Sequence, residues 1–364
     1  MKRFLFTSES VTEGHPDKIC DKISDKILDV ALSLDKNSKM AVETTIKDNF
    51  VLIYGEANTK ADINYKNIAL SVLKDIGYSS DFEVLVKVGK QSSEITNAVV
   101  KDEICAGDQG IMFGYATNET KEYMPLPILF ANRLAKRLTE VRKNNLCDFL
   151  KPDGKTSVTV EYIDNVPVRV DTVIIACQHS EDVNLDVLKN FVIEEVIKKV
   201  ISNNFIDINT KFLINTSGSF IVGGPFGDSG TTGRKIVCDT YGGFARVGGG
   251  CFSSKDPSKV DRSGAYYARY VAKNIVAHNL ADRCEIQVSY AIGVKDEISL
   301  FIDTFGTNKV SEKEIHKYVE ENFDFSVSNI INELDLQRPI YYELASYGHF
   351  GRNDLDLTWE KIVN

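Results

Sequence analysis

Lys255 and Lys259 stand four residues apart in Gly248–Asp261, GGGCFSSKDPSKVD, behind three glycines and ahead of Asp261. Glycine has no Cβ, so its backbone N–H can come close to an anion. The lysines add charge, and Asp261 is a carboxylate of the kind that holds a divalent cation on phosphate oxygens. The segment reads as a polyanion site. Gly14–Lys18, GHPDK, opens an expected helix with Pro16 at its first position. Helix N-termini present free N–H groups and partial positive charge to phosphate. His15 is a candidate phosphate donor there and Asp17 a candidate Mg²⁺ ligand; a capped helix start with a surface histidine fits the same residues. Gly223–Lys235, GGPFGDSGTTGRK, ends in adjacent Arg234 and Lys235, a planar fork and a point charge for phosphate. It lacks the GK[ST] ending of a Walker A loop. Asp228 inside it suits a substrate amine or a metal. Pro152–Lys155, PDGK, reads as a turn leading into a strand. Glu43 and Glu56 fall in two strands of one expected hairpin, facing either solvent or a cation.

These segments need a scaffold, and the rest of the chain describes one. The 364 residues include 43% hydrophobic and 26% charged residues, ordinary for a globular enzyme, and carry a net charge of -9. Such an acidic chain is not a general nucleic-acid binder, so any anion site must be a local basic cluster. Seven cysteines without a CxxC pair suit reduced cytosolic thiols better than a disulfide framework. The apolar run after Lys2 and Arg3 is too short for a signal peptide, and no stretch approaches a membrane span. A cytoplasmic protein without membrane or nucleic-acid partners is expected.

One pattern occurs three times: two strand-like stretches, then an amphipathic helix. The copies are Met40–Lys47, Phe50–Ala57 and Ala61–Ile76; Thr156–Ile163, Val166–Gln178 and Asn184–Ser202; and Cys284–Gly293, Glu297–Phe305 and Ser311–Phe323. Further helices are expected over His15–Leu34, Leu126–Asn144 and Val260–Asn279. The fold class is α+β: three similar α/β subdomains with pseudo-threefold symmetry, each a mixed sheet covered by helices. Blocks 1–110, 111–225 and 226–364 approximate them, with interleaving in sequence. Asn215–Gly250 is irregular and glycine-rich, as functional loops are. Gln91–Gly110 reads as a lid with Gly107 and Gly110 as hinges.

Longer blocks sharpen the reading. FTSESVTEGHPDKI near the start, AGDQG at 106–110, FGYATNET at 113–120, GGPFGDSGTTGRK at 223–235, GGGCFSSKDPSKVDRS at 248–263, EIQVSYAIGV at 285–294 and YGHFGR at 347–352 resemble the S-adenosylmethionine synthetase (methionine adenosyltransferase) family. The resemblance spans essentially the whole chain in the family's order. It implies that methionine sulfur displaces tripolyphosphate from C5′ of ATP, and that the tripolyphosphate is then hydrolysed to pyrophosphate and phosphate. It further implies that His15, Lys155, Arg234, Lys235 and Lys255 are catalytic. Asp153, Ser219, Phe220, Asp228 and Cys251 join them around ATP. Glu56, Gln91, Asp108, Asp228 and Lys259 face methionine. Asp17 and Asp261 would ligate Mg²⁺, two ions per site, and Glu43 would serve one K⁺. A homodimer with shared sites, paired again into a tetramer, is implied too. The chain departs from the common pattern at Ser219, where many bacterial members are basic, at Cys105 and Cys251, where small residues are usual, and in a short loop after Gln91 carrying Glu94.

Overall fold

Each expected hairpin forms, and each belongs to its own sheet, the first two at its centre and the third at one edge. The structure, a computed structural model, describes residues 2–79, 81–90 and 104–363. Its strands are β1 (Arg3–Val11), β2 (Lys39–Lys47), β3 (Phe50–Asn58), β4 (Glu83–Gly89), β5 (Gly110–Thr117), β6 (Leu150–Ile163), β7 (Val166–His179), β8 (Lys211–Ile214), β9 (Gly230–Thr231), β10 (Arg283–Tyr290) and β11 (Ser299–Asp303). They form sheets of order β4-β3-β2-β9, β1-β6-β7-β8 and β11-β10-β5. The hairpins are β2–β3, β6–β7 and β10–β11. After the first two, a helix carries the chain back so that β4 or β8 runs parallel to the second hairpin strand. A parallel return needs such a crossover.

The strand on the other side of each hairpin is borrowed. β1 precedes the first hairpin but pairs with β6 of the second; β5 precedes the second but pairs with β10 of the third. β9 precedes the third hairpin and pairs with β2 of the first. The three units therefore exchange strands in a cycle. Helices Pro16–Leu34, Leu126–Lys143 and Val260–Ala277 precede the hairpins and pack on β2, on β1 and β6, and on β5 and β10. Helices Tyr65–Ile76, Leu185–Phe191 and Glu312–Asn322 follow them. The expected fold class holds.

The second of these following helices has an unusual winding with a plain cause. Leu188, Val192 and Val196 are buried along it. Apolar residues every four positions drift by about 40° per step around an α-helix. A wider π-turn over Val192–Ile197 winds the stripe back onto the sheet.

The first and third sheets share one core, in which Ile19, Ile53, Val271 and Ile286 are buried together. The second has its own, built on Leu134, Val160, Val173 and Val192. Phe244 packs against both. Helix Pro16–Leu34 is buried on almost every face, charged residues included. Asp25 on it receives both short bonds from buried Arg262, at 2.7 and 2.8 Å, from the helix of the third unit. A pair so far from water holds two elements in one geometry, because either partner alone would be an uncompensated charge.

One local expectation is corrected. PDGK is not a turn ahead of a strand but lies inside β6. Leu150 opposes His179 while Gly154 opposes Cys177, so the segment between them bulges out of the ladder. Turn-forming residues and bulge-forming residues are the same types, which hid the difference. Gly107 N–H donates to Ser258 O at 3.0 Å, and a Cβ there would fall 3.0 Å from that oxygen. Gly110 begins β5. The lid reading of the 91–103 stretch, with Gln91 and Glu94, lies outside the described residues. Among the described residues no helix is long and apolar enough to cross a membrane.

Candidate active site

Three of the chemistry-bearing segments converge on the start of helix Pro16–Leu34. A Cβ on Gly14 would lie 2.4 Å from the Pro152 backbone, and one on Gly230 would lie 2.2 Å from the Pro16 carbonyl. Only glycine permits both approaches. Thr12 Oγ1 donates to Pro152 O at 2.7 Å, fixing the β6 bulge beside the helix start. Asp17 and Asp21, one helical turn apart, accept the Thr231 N–H at 3.0 Å and the Gly233 N–H at 2.8 Å. The glycine-rich loop is thereby stitched to the helix, and its last two residues are aimed. Lys235 Nζ lies 2.5 Å from Asp17 Oδ2, and Arg234 Nε lies 3.8 Å from Asp17 Oδ1. Gly230→Ala should force the loop off the helix start and lower stability by about 1–3 kcal/mol, the usual range for overpacking. A urea midpoint matching wild type would show that the contact yields freely.

His15 caps this helix. Its Nδ1 accepts the Asp17 N–H at 3.2 Å, so the proton of the neutral ring sits on Nε2, the nitrogen facing away from the cap. Burial, and then the charge of Lys235, lower its pKa to about 4. The ring is therefore a neutral donor at physiological pH. Its contribution to stability follows: between pH 6.5 and about 4 the unfolded chain takes up this proton first, so stability falls as pH drops through that window. Heteronuclear NMR of the ring nitrogens should find the Nε2–H form still neutral at pH 5.5; titration near 6.5 would refute the burial.

Asp17 itself is held below the ordinary carboxylate range. Burial works against ionisation, but the hydrogen bonds from Lys235 and Thr231 outweigh it. Asp153, in the bulge, is pushed up to about 6 by burial, although Gly224 N–H donates to it at 2.7 Å. Lys155 is half exposed and pairs with Glu9 at 2.9 Å. Asp228 is exposed, with Oδ1 accepting the Ser229 N–H at 2.7 Å. Phe220 is half-buried, its N–H donating to His179 Nε2 at 2.9 Å, and Ser219 beside it is exposed.

A second basic set gathers at the start of helix Val260–Ala277. Lys255 Nζ lies 2.5 Å from Asp261 Oδ2. Gly250 lets that carboxylate tuck beneath its loop, since a Cβ there would sit 2.0 Å from Asp261 Cγ. Lys259 is the N-cap residue, with its ammonium over Gly107. Lys255 bridges to Ala41, two residues before Glu43, whose carboxylate accepts the Tyr54 hydroxyl at 3.1 Å. Cys251 lies against Gly233 and so joins this set to the first. Burial pushes its thiol up to about 11, which makes it a poor nucleophile. Glu56 is exposed on β3, and Asp108 is exposed with Oδ1 accepting the Gln109 N–H at 2.8 Å. Gln91 lies outside the described residues.

The sequence reading missed the buried tie beneath the first set. Lys18 donates to Asp21 at 2.9 Å and to Asp239, which ends the short helix Ile236–Asp239 that follows Lys235. Lys18 and Asp21 at helical spacing were visible; Asp239, more than two hundred residues away, was not.

Among the described residues no three His, Cys, Asp or Glu side chains converge on a metal position. Isolated carboxylates such as Asp17 and Asp261 fit an ion that uses one or two protein ligands and takes the rest from phosphate and water, which is the habit of Mg²⁺. They do not fit a cage metal.

Comparison with known proteins agrees with this geometry. Models of the S-adenosylmethionine synthetase N-terminal, central and C-terminal domains match residues 3–101, 103–220 and 222–361. The S-adenosylmethionine synthase of Finegoldia magna is 50% identical over 381 aligned positions, covering 99% of this chain and 97% of that protein. The chain belongs to the S-adenosylmethionine synthetase family.

Proposed function

We infer that this enzyme joins the sulfur of methionine to C5′ of ATP, giving S-adenosylmethionine, and then hydrolyses the released tripolyphosphate to pyrophosphate and phosphate. The observation that carries the reading is a neutral histidine donor set at a helix N-terminus beside Lys235, with Arg234 and Lys155 around it. A thioether has no proton to lose, so its attack needs no base. The new S–C bond forms as the C5′–O bond breaks, and the electron pair leaves on the triphosphate oxygen. A donor fixed before the reaction, opposite the charge that develops, is what lowers such a barrier. His15 Nε2–H is the proposed donor to that oxygen. Lys155, Arg234, Lys235 and Lys255 oppose the phosphate charge, and alignment of sulfur, carbon and oxygen supplies much of the rest.

For the substrates, Asp153, Phe220, Asp228 and the backbone at Ser219 and Cys251 are the proposed ATP contacts. Glu56, Gln91, Asp108, Asp228 and Lys259 are the proposed methionine contacts. Asp17 and Asp261 would hold two Mg²⁺, and Glu43 would serve a K⁺. Mg²⁺, when bound, neutralises phosphate charge in both half-reactions. A homodimer, paired into a tetramer, would bring the two basic sets of different subunits together. The sheets support this reading, because each leaves apolar residues bare on the face away from its helices: Leu85, Ile174 and Phe301 are 54%, 38% and 50% exposed. A cytoplasmic setting, with seven free thiols, fits the chemistry.

Product analysis tests the proposal. Purified protein with ATP, methionine, Mg²⁺ and K⁺ should release S-adenosylmethionine, pyrophosphate and phosphate in equal amounts. Release of ADP would identify a phosphotransferase instead.

A further inference from the structure

A cavity of about 360 Å³ lies between helix Leu126–Lys143 and the Tyr347–Asp354 segment, walled by residues given no part in the adenosyl-transfer chemistry. Its apolar wall is Met124, Leu129, Tyr347 and Phe350. Asn132, 6% exposed, also lines the cavity.

The mouth is basic. Arg133 and Lys136 stand there, both partly exposed, against Glu122 and Asp354. Asp354 is shared: Arg352 grips it with a fork at 2.8 and 3.0 Å, and that pairing, set against burial, holds its carboxyl far below the ordinary range. Lys136 thus competes with a guanidinium for Asp354, and Arg133 spends one nitrogen, Nη2, on Glu122 at 2.5 Å.

The walls are fixed before any ligand arrives. Arg352 Nη1 donates to Ser346 O and Gly348 O at 2.8 and 3.2 Å, and Tyr347 OH donates to Thr139 Oγ1 at 2.8 Å. Phe350 stacks on Tyr241 with ring centroids 5.0 Å apart. Preformed apolar cavities of a few hundred Å³ with a few converging polar groups are what small-molecule sites look like.

We propose that this cavity is a second ligand site, separate from the ATP and methionine positions, for a small aromatic anion. The ring lies against Tyr347, Phe350, Met124 and Leu129, and the anionic group meets Lys136 and Arg133. The probe is 8-anilinonaphthalene-1-sulfonate, which combines both features and reports burial by fluorescence. Wild-type enzyme should bind it at a site that saturating ATP does not displace. The surface double variant Arg133→Ala, Lys136→Ala should weaken that binding about tenfold or more, the loss of charge-assisted contacts. Probe binding that ATP abolishes, or that the double variant leaves unchanged, would overturn the proposal.

Discussion

Lys235→Met is expected to lower kcat for S-adenosylmethionine formation by about 10²–10³-fold, the usual loss when one fixed stabiliser of developing charge is removed. Two effects add. The substitution deletes the ammonium that sits 2.5 Å from Asp17, and it leaves the Asp17 carboxylate unbalanced in a half-enclosed site where a triphosphate must enter. It also removes the largest charge effect lowering the pKa of His15, so the ring should titrate higher in the variant. Fold is not at stake, because Thr231 and Gly233 still donate to Asp17 and Asp21. A single-turnover measurement separates chemistry from product release. If Lys235 acts on the transition state, the rate falls far more than methionine affinity does. A rate within threefold of wild type would remove Lys235 from the mechanism.

The contrast with Lys155 is instructive. Both lysines face His15, but Lys155 is half exposed and held by Glu9 on the neighbouring strand, while Lys235 is mostly buried. A screened ion pair is worth little, so ATP phosphate can draw Lys155 away from Glu9 at small cost. On the proposed reading Lys235 is fixed before substrate arrives, whereas Lys155 would be recruited by it. Truncating Lys155 should therefore show more in ATP affinity than truncating Lys235 does.

How far the residues announced this arrangement can be argued element by element. The hairpins were legible because β-branched runs and turn residues act locally. The helices were legible because apolar spacing is local too, and the Pro16–Leu34 and Val260–Ala277 helices differ from expectation only at their ends. β1, β5 and β9 were not read as strands. Each pairs with a unit distant in sequence, and β9 has only two residues, Gly230 and Thr231, which have strand geometry solely because β2 is beside them. The same limit applied to the site. GHPDK, PDGK and the 223–235 loop were visible separately, but their meeting depends on Gly14 against Pro152 and Gly230 against Pro16, long-range contacts that no spacing rule contains. The rigid tie through Asp239 was hidden for that reason as well. The bare faces of the three sheets were implicit in the alternation, since a strand with apolar residues on both sides must bury the second side somewhere.

Asp17→Asn is the sharper test of how the site handles charge. The asparagine oxygen can still accept the Thr231 N–H, so the loop stays stitched to the helix, but the anion is gone. If Asp17 takes part in holding Mg²⁺, half-saturation should move to at least about tenfold higher Mg²⁺, the scale seen when a supporting group of a metal site is removed. Turnover should fall as well, because Lys235 is then free to move from its place beside residue 17, where the proposed triphosphate site lies. The protonation argument adds an independent sign. In wild type the Lys235 and Thr231 bonds keep Asp17 ionised to below the ordinary carboxylate range, against the cost of burial. The activity of wild type should therefore show no acid limb from Asp17 near pH 5. In Lys235→Met the burial cost loses its main opponent, so the Asp17 pKa rises and an acid limb appears at higher pH. When Asp17→Asn is combined with Lys235→Met, the Asp17 limb must vanish, because asparagine does not titrate. A limb that persists there belongs to another group, for which His15, titrating higher once Lys235 is gone, and Asp153, pushed up to about 6 in the adjoining bulge, are the nearest alternatives. An unchanged Mg²⁺ titration in Asp17→Asn would reduce Asp17 to the structural role its bonds to Thr231 and Lys235 already give it.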